Sequence, residues 1–255
     1  MRSKKAGIVI LAAVLVLLLA GGGIVGNMMG VFHKGNHGQY DLSHTAVNAD
    51  SPLRGRTVIF LGSSVTQGYG SLGVSFVDYL EKVDGVTAVK EAVSGTTLAD
   101  LKRSSYVARM RTIDPTIKAD AFVCQLSTND ATQGVPLGAV AEGFDPAAFD
   151  TQTVAGAIEY IIAYARETWR CPVIFYTQAR YDSDAYAQMV SLLQEIRQKW
   201  QITVIDLWND ADFNAITDEE RSLYLVDAIH PTKAGYRDWW LGRFEMGLND
   251  AIKKS

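Results

Sequence analysis

Five short apolar runs punctuate the chain, at 57–61, 87–93, 120–127, 172–177 and 202–207, and each has the length of a strand. Between them, apolar residues return every three or four positions over 75–83, 98–113, 152–169 and 184–200, which predicts helices. In 152–169 the residues Val154, Ile158, Ile161, Ile162 and Ala165 fall on one face. A last helix is expected over 232–253, carrying Trp239, Trp240, Phe244 and Leu248. Regular alternation of this kind belongs to a parallel sheet covered by helices on both faces. The expectation is an α/β protein: a three-layer α/β/α sandwich with a five-stranded parallel sheet in the flavodoxin-like order 2-1-3-4-5. Nothing in 56–255 suggests an internal repeat or a second domain.

The first part of the chain has a different pattern. Arg2, Lys4 and Lys5 precede an uncharged stretch from Ala6 to Phe32 whose apolar heart is Ile8 to Ala20. That heart is short for a membrane span, and adding Gly21 to Met29 brings it to spanning length. Basic residues ahead of such a run favour a cytoplasmic N-terminus with the rest exported. A cleaved signal peptide is the competing expectation, with Ala20 and Gly22 as small residues at the cut. Residues 33–55 are polar and aperiodic, and read as a linker or stalk. The division is therefore 1–32 signal-anchor or transmembrane segment, 33–55 linker and 56–255 folded domain. On this reading the domain lies outside the cytoplasm, held at the cell membrane or secreted if the first segment is cut.

Composition narrows the function. A net charge of -4 excludes a nucleic-acid partner of the basic-patch kind. The two cysteines, Cys124 and Cys171, fall in or beside expected core strands and read as unpaired structural thiols, with no zinc spacing around them. His33, His37 and His44 lie in the expected linker and read as solvated residues. His230 is the one histidine of the domain.

The chemistry gathers where strands end. In sheets of this type ligands bind outside the carboxyl ends of the strands. Ser64 follows the first run in Gly62-Ser63-Ser64-Val65-Thr66, Ser94-Gly95 follows the second, and Asn129 follows the third. His230 closes Asp227-Ala228-Ile229-His230-Pro231. A serine hydroxyl needs a base within hydrogen-bond reach, and imidazole titrates near neutrality. Asp227 is placed to orient that base, although Asp206 and Asp210 also lie near a strand end. Ser63 is the neighbouring candidate for the nucleophile. The long Gly-, Ala- and Pro-containing segment 131–150 is expected beside the substrate cleft or as a passive surface loop, with Phe144, Tyr176 and Tyr181 as candidates to line an acyl or sugar pocket.

With four blocks in this order, the chain resembles the SGNH (GDSL-type) hydrolase family over roughly 56–250. The resemblance implies Ser64 as nucleophile, His230 and Asp227 as its catalytic partners, and an oxyanion hole made of the Ser64 and Gly95 N–H groups and the Asn129 side-chain amide. It implies no cofactor and no metal. Two positions depart from the family pattern: Ser63 stands for the usual aspartate, and Ser127 for the first glycine of the Gly-x-Asn-Asp block. The first removes a carboxylate that would brace the nucleophile loop. Asp130 reads as a structural brace. The implied activity is an extracytoplasmic serine esterase acting on an ester substrate, a carbohydrate acetyl ester or a lipid. Its alternatives are an O-acyltransferase on cell-surface glycan, using the same residues, and a non-catalytic carbohydrate-binding domain.

Overall fold

All five apolar runs become strands in the computed structural model, which describes Gly26 and residues 30–254. They are β1 (Thr57–Gly62), β2 (Thr87–Ala92), β3 (Ala121–Gln125), β4 (Val173–Tyr176) and β5 (Thr203–Ile205). The sheet is parallel throughout and runs β2-β1-β3-β4-β5, the expected order. Nine α-helical segments surround it: α1 (Ser64–Gln67), α2 (Phe76–Tyr79), α3 (Tyr106–Met110), α4 (Thr128–Thr132), α5 (Val154–Thr168), α6 (Asp184–Trp200), α7 (Ala211–Asn214), α8 (Asp218–Tyr224) and α9 (Leu241–Lys253), counted among the described residues.

Side chains alternate across each strand, and the core divides accordingly. Ile59, Leu61, Phe122, Cys124, Val173 and Phe175 point to one face, where α5 and α6 cover them with Ile158, Ile161, Leu193 and Ile196. Val58, Phe60, Ala121, Val123, Ile174 and Tyr176 point to the other, covered by α2 and α9. There Phe76 stacks on Phe244 at 3.8 Å between ring centroids and meets Phe60, Tyr176, Tyr236 and Trp240 around its rim. The resulting three layers are the predicted α/β/α sandwich. Cys124 and Cys171 are free and buried.

Several elements differ from their expected extents. Only Tyr106–Met110 of 98–113 is helical, because the N–H groups of Leu98 and Ala99 donate to the Asp130 carboxylate and a new N-cap at Ser105 is needed to start a helix. The fifth strand stops at Ile205, where Asp206 accepts from the N–H of Asn209 and turns the chain. The helix over 75–83 is α2 followed by a π-helical turn, Leu80–Asp84. The expected helix over 232–253 is a π-helical turn, Gly235–Trp240, leading into α9. The short helices α7 and α8 have no counterpart in the sequence reading.

The segment 33–55 is not a free linker. It forms three 3₁₀ turns, Lys34–Asn36, Gly38–Tyr40 and Leu42–His44, that strap the domain. Asn36 is buried and uses every polar atom: Nδ2 donates to the carbonyls of Gly30 and Gly70, and Oδ1 accepts from the N–H of Lys233, each at 2.8 Å. Lys233 pairs with Asp41 at 2.5 Å, and Arg237 donates to the Gln39 carbonyl. Further on, Leu53 is buried and Ser51 donates to Asp84. Polar residues in a 3₁₀ chain carry no 3.6-residue period, so the pattern gave no sign of this packing. The membrane segment expected over 1–32 lies almost entirely outside the described residues. Among the described residues no helix is long and apolar enough to cross a membrane.

Replacing Asn36 strands two buried carbonyls and one buried N–H. Asn36→Ala should lower the unfolding free energy by about 1–3 kcal/mol and open 33–44 to limited proteolysis. Unchanged urea midpoint and unchanged digestion would show that the strap is not held this way.

Candidate active site

The site begins at Gly62, the last residue of β1. A side chain there would strike Thr66 Oγ1 at 1.7 Å, so only glycine lets the chain turn directly into α1. Gln125, at the end of β3, holds that turn from below. Its Oε1 accepts from the Ser63 N–H at 2.9 Å, the Thr66 N–H at 3.3 Å and Thr66 Oγ1 at 2.8 Å. Thr66 is further tied to the Tyr176 hydroxyl at 2.6 Å. The turn buries Ser63 completely and presents Ser64 Oγ at the sheet edge.

His230 meets Ser64 across 166 residues of sequence, with Nε2 at 2.8 Å from Oγ. Its Nδ1 lies 2.8 Å from Asp227 Oδ2. An ionised carboxylate only accepts, so Nδ1 carries the proton and Nε2 of the neutral ring is free to accept from the serine hydroxyl. The other Asp227 oxygen, Oδ1, accepts from the N–H groups of Ile229 and His230, both at 2.8 Å. Burial alone would raise the Asp227 pKa, but the hydrogen bonds and charge of His230 and the Ile229 N–H outweigh it and hold the carboxyl below its ordinary value. The loop is closed by the Leu225–Pro231 bridge. Tyr69 lies tilted against the imidazole, 5.1 Å between centroids. Asp206 and Asp210, the alternatives to Asp227, are engaged elsewhere: Asp206 with Thr177, Gln194 and Asn209, Asp210 with Arg243 and the start of α7.

The opposite side of the cleft is built from β2 and β3. Gly95 has φ +77° and faces open space, which leaves its backbone accessible. Asn129 lies in the first turn of α4, whose cap is Ser127: Oγ accepts from the Asn129 N–H at 3.1 Å and donates to the Thr96 carbonyl at 3.3 Å. Asn129 Nδ2 donates to that same carbonyl at 3.0 Å, and its second amide hydrogen remains available. Beneath them Asp130 accepts from the N–H groups of Leu98 and Ala99, one on each oxygen. Burial pushes the Asp130 pKa up, against the pull of those donors.

Ser64, Gly95, Asn129, Asp227 and His230 therefore line one cleft of about 420 Å³, together with Tyr69 and Ser94. The sequence reading did not single out Tyr69, Gln125 or Arg109. Arg109 is buried and binds the Gly62 carbonyl, the Thr96 hydroxyl, the Ser104 carbonyl, and both the carbonyl and the carboxylate of Glu91, joining the two sides of the site. A polar glutamine within the apolar run 120–127 was the one visible sign of this scaffold. No residue of the segment 131–150 is in the cleft lining, but Gln133 borders it, its Nε2 donating to the Gly95 carbonyl at 3.5 Å. The segment is fastened to α5 and α6 through buried Glu159, which accepts from Lys199, the Trp200 indole and the Ala141 N–H. Phe144 packs on Trp200, and Tyr176 belongs to the core.

Residues 60–237 match the model of the GDSL-like lipase/acylhydrolase family, and the chain belongs to that family of ester-bond hydrolases. Solved structures share the fold. A protein from Lactobacillus plantarum is 20% identical, with a TM-score of 0.62 over 78% of this chain and 97% of its own. A member of the lipolytic protein G-D-S-L family from Veillonella parvula DSM 2008 is 18% identical, with a TM-score of 0.55 over 74% of this chain and 96% of its own. An acetyl xylan esterase, AlAXEase, is 16% identical, with a TM-score of 0.51 over 74% of this chain and 97% of its own. No curated protein matches the chain.

A carboxyl whose pKa is lowered on folding stabilises the fold above its unfolded pKa, and that contribution fades as pH falls through the folded value. For Asp227 the ordinary value is 3.8. The stability advantage of the wild type over Asp227→Asn should thus narrow as pH falls below about 4. An advantage that persists undiminished at about pH 2 would assign the effect to another group.

Proposed function

We propose that the protein is a serine esterase in which Ser64 is the nucleophile, His230 the general base and Asp227 its orienting partner. Ser64 Oγ attacks the acyl carbon as His230 Nε2 takes its proton. The resulting oxyanion is received by the N–H groups of Ser64 and Gly95 and by the Asn129 amide. Collapse breaks the ester bond, the alcohol leaves with the proton from His230, and an acyl-serine remains. Water then attacks the acyl-serine, His230 taking its proton and returning it to Ser64 Oγ as the carboxylic acid departs. The observation that carries this reading is the unbroken hydrogen-bonded line from Ser64 Oγ through His230 to Asp227, opening into a cleft whose far side holds Gly95 and Asn129. Acetyl esters of carbohydrate are the proposed substrates; the acetyl xylan esterase of the same fold supports this choice.

Ser64→Ala should lose labelling by a fluorophosphonate probe and cut kcat by roughly 10³-fold or more. Ser63→Ala should still label, since that residue is buried behind the nucleophile. His230→Ala should remove the acid limb of the pH–rate profile together with nearly all turnover, while replacing His33, His37 and His44 together should leave the limb in place. Labelling at Ser63 in the Ser64→Ala protein, or an acid limb that follows the three N-terminal histidines, would overturn the assignment.

We also propose that the catalytic domain works outside the cytoplasm. The support is the basic group Arg2, Lys4 and Lys5 ahead of the uncharged stretch Ala6 to Phe32. Cell fractionation should find the domain in the membrane or exported fraction, and protease added to spheroplasts should reach it. Recovery in the cytosol alone would defeat this placement.

A further inference from the structure

A second cavity, about 510 Å³, adjoins the catalytic cleft, and Asp227 lines both. One wall is the segment after β4, with Arg180, Tyr181 and Asp182; the other is α8, with Asp218 and Arg221. Its position is informative for the reaction proposed above. In that reaction Gly95 and Asn129 receive the carbonyl oxygen and His230 protonates the leaving oxygen of the alcohol, and the second cavity opens beside Asp227, the partner of His230.

The walls indicate what that alcohol is. Each presents one guanidinium and one carboxylate, and none of these four charges is in an ion pair or a side-chain hydrogen bond among the described residues. The third carboxylate of the lining, Asp227, is paired with His230, and the four wall charges sum to zero, so the walls favour neither an anion nor a cation. An alkyl chain would meet Tyr181, Leu225, Val226 and Ala228 but would strip water from four charged groups with no hydrogen bond in return. A hydroxyl both donates and accepts, so a ring of hydroxyls satisfies guanidinium and carboxylate together. The walls are also firmly held. Tyr181 packs on Tyr186 and Trp208 at 5.4 and 5.5 Å, the Arg180 guanidinium stands 5.8 Å over Trp208, and the Arg180 N–H donates to Asn214. Asp218 and Arg221 share one face of α8, which a capping box of Thr217 and Glu220 fixes at its start.

We infer that this cavity is the alcohol subsite, and that the alcohol is a neutral oligosaccharide. The inference rests on the esterase reading above, and its test separates the two. Binding is measured calorimetrically on the Ser64→Ala protein with xylotetraose, cellotetraose and an oligogalacturonate of the same length. A neutral tetrasaccharide should bind, and adding Arg180→Ala with Asp218→Ala should raise its Kd by about tenfold or more. In the protein with Ser64 intact, the same double change should reduce kcat/KM on O-acetylated xylotetraose at least about tenfold more than on 4-nitrophenyl acetate, chiefly through KM. The subsite is refuted by any of three results: no neutral tetrasaccharide binds, the double variant binds as tightly, or the anionic oligogalacturonate binds best. Saccharide binding that depends on Arg180 and Asp218 in a protein that turns over no ester would uphold the subsite and sink the esterase reading.

Discussion

Backbone N–H groups that leave the carboxyl edge of a parallel sheet lose their ladder partners, and buried ones must find others. Two side chains meet this demand here, and a third does the same for the loop after α8. The Gln125 amide oxygen collects the N–H groups of Ser63 and Thr66, the Asp130 carboxylate those of Leu98 and Ala99, and the Asp227 carboxylate those of Ile229 and His230. Each acceptor fixes one loop of the site. The positions of Ser64 and of the Gly95–Thr96 turn follow from this requirement, and Asp227 fixes His230 by the same kind of bonding in the loop after α8. Buried acceptors left half-used would cost about 1–3 kcal/mol each, which is why so much of the local sequence is committed to them.

The same requirement explains the two departures from the family pattern. With Ser63 in place of an aspartate, the nucleophile turn has no carboxylate of its own, and Gln125 supplies the acceptor from the neighbouring strand. With Ser127 in place of a glycine, the chain gains a cap for α4 whose hydroxyl also reaches the Thr96 carbonyl. That carbonyl is the one Asn129 holds, so the serine steadies the Asn129 side chain rather than only replacing a flexible residue.

What was legible in the sequence was whatever buries apolar surface with a period. The five strands, α5 and α6 follow from runs and stripes, and three of the four polar blocks stood where strands end. What escaped lacks a period. Helix α8 buries none of its residues, so no stripe betrays it, although Thr217 and Glu220 have the spacing of a capping box. The stretch 98–113 carries a helical stripe but spends its first half on the Asp130 network. Arg109 and Gln125 act through contacts between distant parts of the chain, which local pattern cannot report. The 3₁₀ turns of 33–44 are polar on the outside and docked through Asn36, Asp41 and the Gln39 carbonyl.

That docking has a consequence for reach. As an extended tether, the 23 residues of 33–55 would span up to roughly 80 Å and let the cleft sweep a wide volume. Fastened from Gly30 to Leu53, the same residues allow no such swing. Gly30 itself sits against Gly70 and against Val226, which lines the second cavity. The mouth of the site therefore keeps a set bearing and a short distance to Gly30. Its range of encounter is decided by that bearing, not by the length of a leash.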